Sequence, residues 1–241
     1  MSAAKGRLLV IDGTDGSGKQ TQTALLTARL QALGHPVKQL TFPTYSESSA
    51  LIELYLSGQL GALGEVSPYA ASTFYAVDRY ASYRRDWGRD YEAGALVLTD
   101  RYVTANFIHQ MSRLPRDRWE DYIAWLEELE YDRFGLPRPD AVFYLDLSPE
   151  ASQRLLDHRY QGDPAKRDLH ERDTAYLAAC RETAQFAADR LGWHRIPCDR
   201  DGIIDPPEII AARLEALARP YFPASEGEQK EGQARLKEQR I

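Results

Sequence analysis

The chain has 241 residues, 43% of them hydrophobic and 27% charged, enough for one globular domain with a substantial core. Its formal charge of −6 argues against a broad nucleic-acid footprint, and its two cysteines, Cys180 and Cys198, are too few for a disulfide framework or a metal cluster. No run reaches the roughly eighteen apolar residues of a membrane helix, and "MSAAKGRLLVIDG" carries no secretory core, so a soluble, cytoplasmic protein is expected.

In chain order, Leu8 to Ile11 is a short apolar run that reads as a buried strand. A glycine-rich turn follows, and from Lys19 to Leu33 the leucines at 25, 26, 30 and 33 recur with helical spacing until Gly34 stops them. Val37 to Phe42 alternates like a second strand. Ser67-Pro68 pairs a capping serine with a first-turn proline and opens a helix that runs to about Trp87. Ala95 to Asp100 and Ala141 to Leu147 are apolar strands, with an amphipathic helix from Asp117 to Arg133 between them. Ser148-Pro149 opens a further helix, Trp193 to Cys198 is a last strand, and Pro206 to Ala218 a last helix. This alternation predicts an α/β fold: a parallel sheet of about five strands with helices on both faces and ligands at the strands' carboxyl ends.

Two stretches stand apart. Asp157 to Asp173 is charged and nearly free of aliphatics, which suits a solvated loop or a short lid over about 157–170. Residues 224–241, rich in Glu, Gln, Lys and Gly, are expected to be disordered or a frayed helix, leaving 1–223 as the single domain.

The strongest motif is "GTDGSGKQT", Gly13 to Thr21, between the first strand and the first helix. Gly13, Gly16 and Gly18 allow a tight turn whose backbone N–H groups converge on phosphate, with Asp15 and Ser17 within it, and Lys19 supplies charge for the β- and γ-phosphates. Gln20 stands where serine or threonine usually holds the metal, and Thr21 comes one place later. At the third strand's tip, "TDRYVTAN" sets Asp100 for magnesium or its waters and Arg101 for a second phosphate. Tyr75 and Arg79 share one helix face, fit to stack on and hydrogen-bond a base; on the plainer reading Tyr75 is core and Arg79 pairs with Asp78 or a neighbouring acid.

Taken together, "GTDGSGKQT", "FPTY" (42–45), "TFYAVDR" (73–79), "TDRY" with Asn106, and "FGLPRPD" (134–140) resemble the thymidylate kinase family, in the family's order, from Arg7 to about Ala218. The resemblance implies a P-loop NTPase fold and ATP-dependent phosphorylation of dTMP to dTDP, a step toward dTTP, with Mg²⁺. It implies a homodimer with no nucleic-acid or membrane partner. In the dimer, a face from Ala70, Phe74, Val77 and Ala81 is available, or is internal core. Tyr75 matches the base-stacking position, Arg79 the reader of thymine O4, Asn106 a base-edge contact and Arg101 the acceptor-phosphate clamp. Phe42 and Tyr45 match pocket-lining residues, Tyr102 lies near the sugar, and Asp15 matches the P-loop acid. The metal is expected on nucleotide oxygens, water, Asp15 and Asp100, with Glu171 further out. Gly16 stands where some members carry an arginine, which points to a lid cation, Arg159 or Arg167. Thr44 replaces the arginine of "FPRY". Two alternatives stay open: a kinase for another pyrimidine nucleotide or a deoxynucleoside, and a nucleotide-binding switch.

Overall fold

A computed structural model describes residues 5–62, 64–159 and 174–223, excluding the side chains of 156–159 and 174. Five parallel strands, β1 (Arg7–Gly13), β2 (Val37–Thr41), β3 (Leu96–Asp100), β4 (Ala141–Asp146) and β5 (His194–Pro197), form a sheet in the order β2-β3-β1-β4-β5. Each apolar run expected to be a strand is one, within a residue or two at its ends. A two-stranded antiparallel ribbon, β6 (Asp199–Arg200) and β7 (Ile203–Ile204), follows.

The three central strands are buried on both faces, so their residues divide by parity rather than into wet and dry sides. Leu8, Val10, Val97, Val142 and Tyr144 point to one face. They pack there against α5 (Thr104–His109), α6 (Trp119–Glu127) and α8 (Thr174–Leu191) through Phe107, Tyr122 and Ala184. Leu9, Ile11, Leu98, Phe143 and Leu145 point to the other, against α1 (Lys19–Ala32), α7 (Pro149–Arg159) and α9 (Pro207–Ala218) through Leu26, Leu30, Ala151 and Leu214. The helix expected from Ser67 is α3 (Pro68–Ser82). Ser67 Oγ accepts from the Ala70 N–H, and the helix runs through a π turn at 83–87 into α4 (Gly88–Glu92). A short helix α2 (Ala50–Leu56) lies beside α3.

Three of these helices were not legible as helices. Those at 50–56 and 104–109 are at most two turns long, and α8 buries Cys180, Thr183, Ala184, Ala187 and Ala188, small residues that leave little apolar periodicity. Cys180 and Cys198 are both free and buried. Residues 224–241 and most of the 157–170 stretch lie outside the described residues.

Candidate active site

The carboxyl ends of β1, β2 and β3 meet in register, with Ile11 and Thr41 both opposite Asp100. There they open a cleft of about 520 Å³, walled by the loop after β1, the turn after β2 and the tip of β3. Asp15, Gly16, Gly18, Lys19, Gln20 and Thr21 line it from the first, Phe42, Pro43 and Tyr45 from the second, and Asp100 and Arg101 from the third.

The loop can form because of its glycines. A Cβ on Gly13 would lie 2.6 Å from Ser17 Oγ and 2.9 Å from the Leu145 carbonyl, so only glycine lets the loop fold back on the sheet. Gly18 enters α1 with φ +81°, which an L side chain adopts only with strain. Ser152 Oγ of α7 donates to the Asp15 carbonyl and ties the loop to the neighbouring helix. Lys19 is 7% exposed and donates from Nζ to the Thr14 carbonyl at 2.9 Å. Burial and then the charge of Arg101 hold its pKa below the ordinary lysine value, against Asp15, Asp100 and Asp12.

Asp12 is fully buried at the end of β1, accepting from the Gly13 N–H at 2.8 Å and from Thr104 Oγ1. Burial raises its pKa, outweighing Arg101 and Lys19. Asp15 differs. Burial pushes its pKa up, but Arg101 first, with Lys19, overcomes that, and it stays a carboxylate well below the usual range. Arg101 meets it directly, Nη2 donating to Oδ1. The other terminal nitrogen, Nη1, donates to His109 Nε2 at 2.7 Å.

The residues expected to read the base sit deeper. Tyr75 packs beside Tyr55 and Val66, and burial raises its hydroxyl's pKa, with Arg101 and Asp15 among the charges acting on it. Arg79 is 1% exposed. It donates from Nε and Nη2 to the two oxygens of Glu130 and from Nη1 to the Tyr102 carbonyl. Asn106 Nδ2 reaches the same Glu130 at 3.5 Å. Both expected base readers therefore converge on one buried acid that the sequence reading did not single out.

Two expectations need correction. Tyr102 was expected near the sugar. Its side chain is fully buried against Phe42 and Trp87, with its hydroxyl donating to the Pro137 carbonyl, so it is a core residue outside the cleft wall. The plainer reading, that Arg79 pairs with Asp78 or a neighbouring acid, holds for an acid, Glu130, and not for Asp78. The Asp78 carboxylate accepts from the Thr44 N–H and Oγ1 at 2.8 and 2.6 Å and from Ser48 and Ser49 Oγ at 2.6 and 2.9 Å. It thereby pins the turn that carries Phe42 and Tyr45. Arg159 lies at the end of α7 with its side chain outside the described residues, and Arg167 and Glu171 lie wholly outside them.

For a divalent cation, the donors at hand are oxygens, which suit a hard ion such as Mg²⁺. Asp100 is 8% exposed, and its Oδ1 is buried with no hydrogen-bond partner among the described residues. Asp15 stands across the cleft with one oxygen on Arg101. Gln20 and Thr21 are exposed on the cleft's edge. Asp100 and Asp15 therefore fit the ion, with the nucleotide's own oxygens needed to complete its shell; no group of three protein ligands stands ready among the described residues.

The thymidylate kinase family's sequence profile matches residues 11–200. A thymidylate kinase of Mycobacterium tuberculosis is 36% identical over 223 residues, covering 90% of this chain and all of that protein. One from Clavibacter sepedonicus is 32% identical, covering 88% and 94%. The solved structure of thymidylate kinase from Candida albicans superposes with a TM-score of 0.65 at 19% identity, covering 90% of this chain and 93% of that one, which supports the P-loop NTPase fold.

Proposed function

The chain belongs to the thymidylate kinase family, and from that premise we propose that it transfers the γ-phosphoryl group of ATP to the phosphate of dTMP, giving dTDP and ADP. The observation that carries this reading is that Lys19 and Arg101 line one cleft, a lysine in a glycine-rich loop after β1 and a guanidinium at the tip of the neighbouring β3. Two cations so placed suit two phosphates brought end to end.

ATP's β- and γ-phosphates would take the turn's N–H groups and the Lys19 ammonium, which exchanges its Thr14 carbonyl for them. The acceptor's phosphate would take Arg101, displacing Asp15 from Nη2. That phosphate is already an anion, so the reaction needs no strong general base. Catalysis is alignment plus neutralisation of charge on the transferring group. Asp100 and Asp15, with the nucleotide's oxygens, would hold Mg²⁺, which would add neutralisation of the donor phosphates. Tyr75 offers the stacking plane, and Arg79 and Asn106, oriented by Glu130, the hydrogen bonds to the base. The lid cation falls to Arg159 or Arg167.

A homodimer through α3 fits the exposure of Val77 at 45%, with Ala70, Phe74 and Ala81 half-buried beside it. No described helix is long and apolar enough to cross a membrane, and a cytoplasmic location is part of the same proposal. The test is ADP release from ATP–Mg²⁺ with dTMP, dUMP, UMP, CMP, dCMP, thymidine or no acceptor. Turnover highest with dTMP is expected. A different preferred acceptor overturns the base assignment, and no stimulation by any acceptor overturns the kinase reading.

A further inference from the structure

Arg101 leaves β3 with φ +67°, in the left-handed region. Its backbone is fixed there by its N–H on the Ile11 carbonyl at 3.0 Å and by Thr99 Oγ1 on its own carbonyl at 2.7 Å. Beyond that turn, two acceptors on different terminal nitrogens set the guanidinium plane, Asp15 at Nη2 and His109 Nε2 at Nη1. They are not equivalent. Asp15 is an anion, and an incoming phosphate competes with it for the same donor face. His109 is held from behind: its ring stacks on Tyr176 at 6.2 Å and 27°, with Nδ1 3.2 Å from the Tyr176 hydroxyl and 3.6 Å from Cys180 Sγ. Thr183 Oγ1 on the Ile108 carbonyl at 2.8 Å locks α8 to α5 next to it.

A guanidinium only donates, so Nε2 must accept, and the ring that does so is neutral with its proton on Nδ1. We propose that His109 is a positioning residue for the phosphate clamp. It holds Nη1 so that the Nη2 side of the Arg101 fork stays presented to the acceptor's phosphate once Asp15 is displaced. The inference rests on the dTMP kinase reading and adds to it a residue that acts through Arg101 Nη1.

The test compares His109→Phe, which keeps a ring but cannot accept, and His109→Leu with His109→Gln, whose amide oxygen can accept. KM for dTMP, KM for ATP and kcat are measured for each, alongside the dTMP Kd. The Phe and Leu variants are expected to raise the KM and Kd for dTMP about 10–150-fold, as loss of a hydrogen bond to a charged group would, with ATP's KM within about twofold. The Gln variant should recover most of that loss. Equal behaviour of Gln and Phe, an equal rise in ATP's KM, or an unchanged dTMP KM overturns the inference while leaving the kinase reading in place. Absence of dTMP turnover in the wild-type protein removes both. If the Leu variant does not fold, the Phe and Gln pair decides the matter.

Discussion

Arg79 and Glu130 close a two-point ion pair inside the protein, Nε on Oε2 at 2.7 Å and Nη2 on Oε1, with side chains 2% and 0% exposed. Such a pair adds little net stability over an apolar one, but breaking it strands a buried charge. Glu130→Ala should therefore cost on the order of 3–5 kcal/mol and lower the Tm by roughly 6–20 °C. Arg79→Met with Glu130→Leu should restore most of that stability while dTMP turnover stays lost. Thermal unfolding of the three proteins beside the ADP-release assay separates the two effects. Recovery of dTMP turnover in the double variant would remove Arg79 from base reading.

Asp78 and Thr44 make a second prediction. The carboxylate gathers four donors from the turn between β2 and α2, the turn that places Phe42 and Tyr45 against the cleft. In Asp78→Ala those donors lose their anchor and the turn loosens. KM for dTMP should rise about 5–30-fold, equivalent to about 1–2 kcal/mol, with ATP's KM within about twofold. Thr44→Val, which removes one of the four, should give a smaller shift in the same direction. Equal changes for both substrates would mean the turn serves the whole fold rather than the acceptor's side.

The sheet was legible because its signals are local. Leu8 to Ile11 and Ala141 to Leu147 are continuous apolar runs, and Gly13 to Lys19 carries its glycines and lysine at the fixed spacing of a strand-to-helix turn. What the chain order hid is pairing across distance. Glu130 lies 51 residues from Arg79 and His109 lies 67 from Tyr176. Asp78 stands next to an arginine in sequence yet turns to hydroxyls on another element. A cluster such as "TYSESS" offers a signal for a hydroxyl-rich cage, but only the fold says which acid it encloses. Tyr102 failed for the same reason: nearness to Arg101 in sequence says nothing of which way a side chain leaves a strand tip.

Asp146 carries the pH dependence. At the tip of β4 it accepts from Arg181 Nε at 2.7 Å, Arg195 Nη2 at 2.9 Å and Gln185 Nε2 at 3.3 Å, joining the strand to α8 and β5. Burial pushes its pKa up, but hydrogen bonds from Arg195 and Arg181 outweigh that and leave it below its ordinary value. A carboxyl whose folded pKa is depressed binds fewer protons folded than unfolded. Its contribution is therefore whole above about 3.9, the unfolded value, and is lost as pH falls from there through the lower folded value. Asp146→Asn should thus be less stable than wild type at pH 7, and the gap should shrink as pH drops below about 4. Urea unfolding at pH 7, 5 and 3 measures it. A gap constant across that range would mean the ion pairs contribute nothing through ionisation.

Lys19 separates donor from acceptor. Its ammonium lies in the cleft between Asp15, Asp100 and Asp12, close enough for all three to act on it, and 7% exposure leaves it little water to fall back on. Lys19→Met removes the cation proposed to meet ATP's terminal phosphates, and on the scale of a lost charge stabiliser kcat should fall about 10²–10³-fold. The dTMP Kd should stay within about threefold, because Arg101 and the residues proposed to read the base remain. Lys19→Arg should not rescue it: a planar fork cannot occupy the place of a compact ammonium this buried. Isothermal titration of dTMP beside single-turnover kinetics checks both halves. A variant that loses dTMP binding as severely as turnover would mean that Lys19 holds the whole cleft open, and the assignment of one cation to each phosphate would fall.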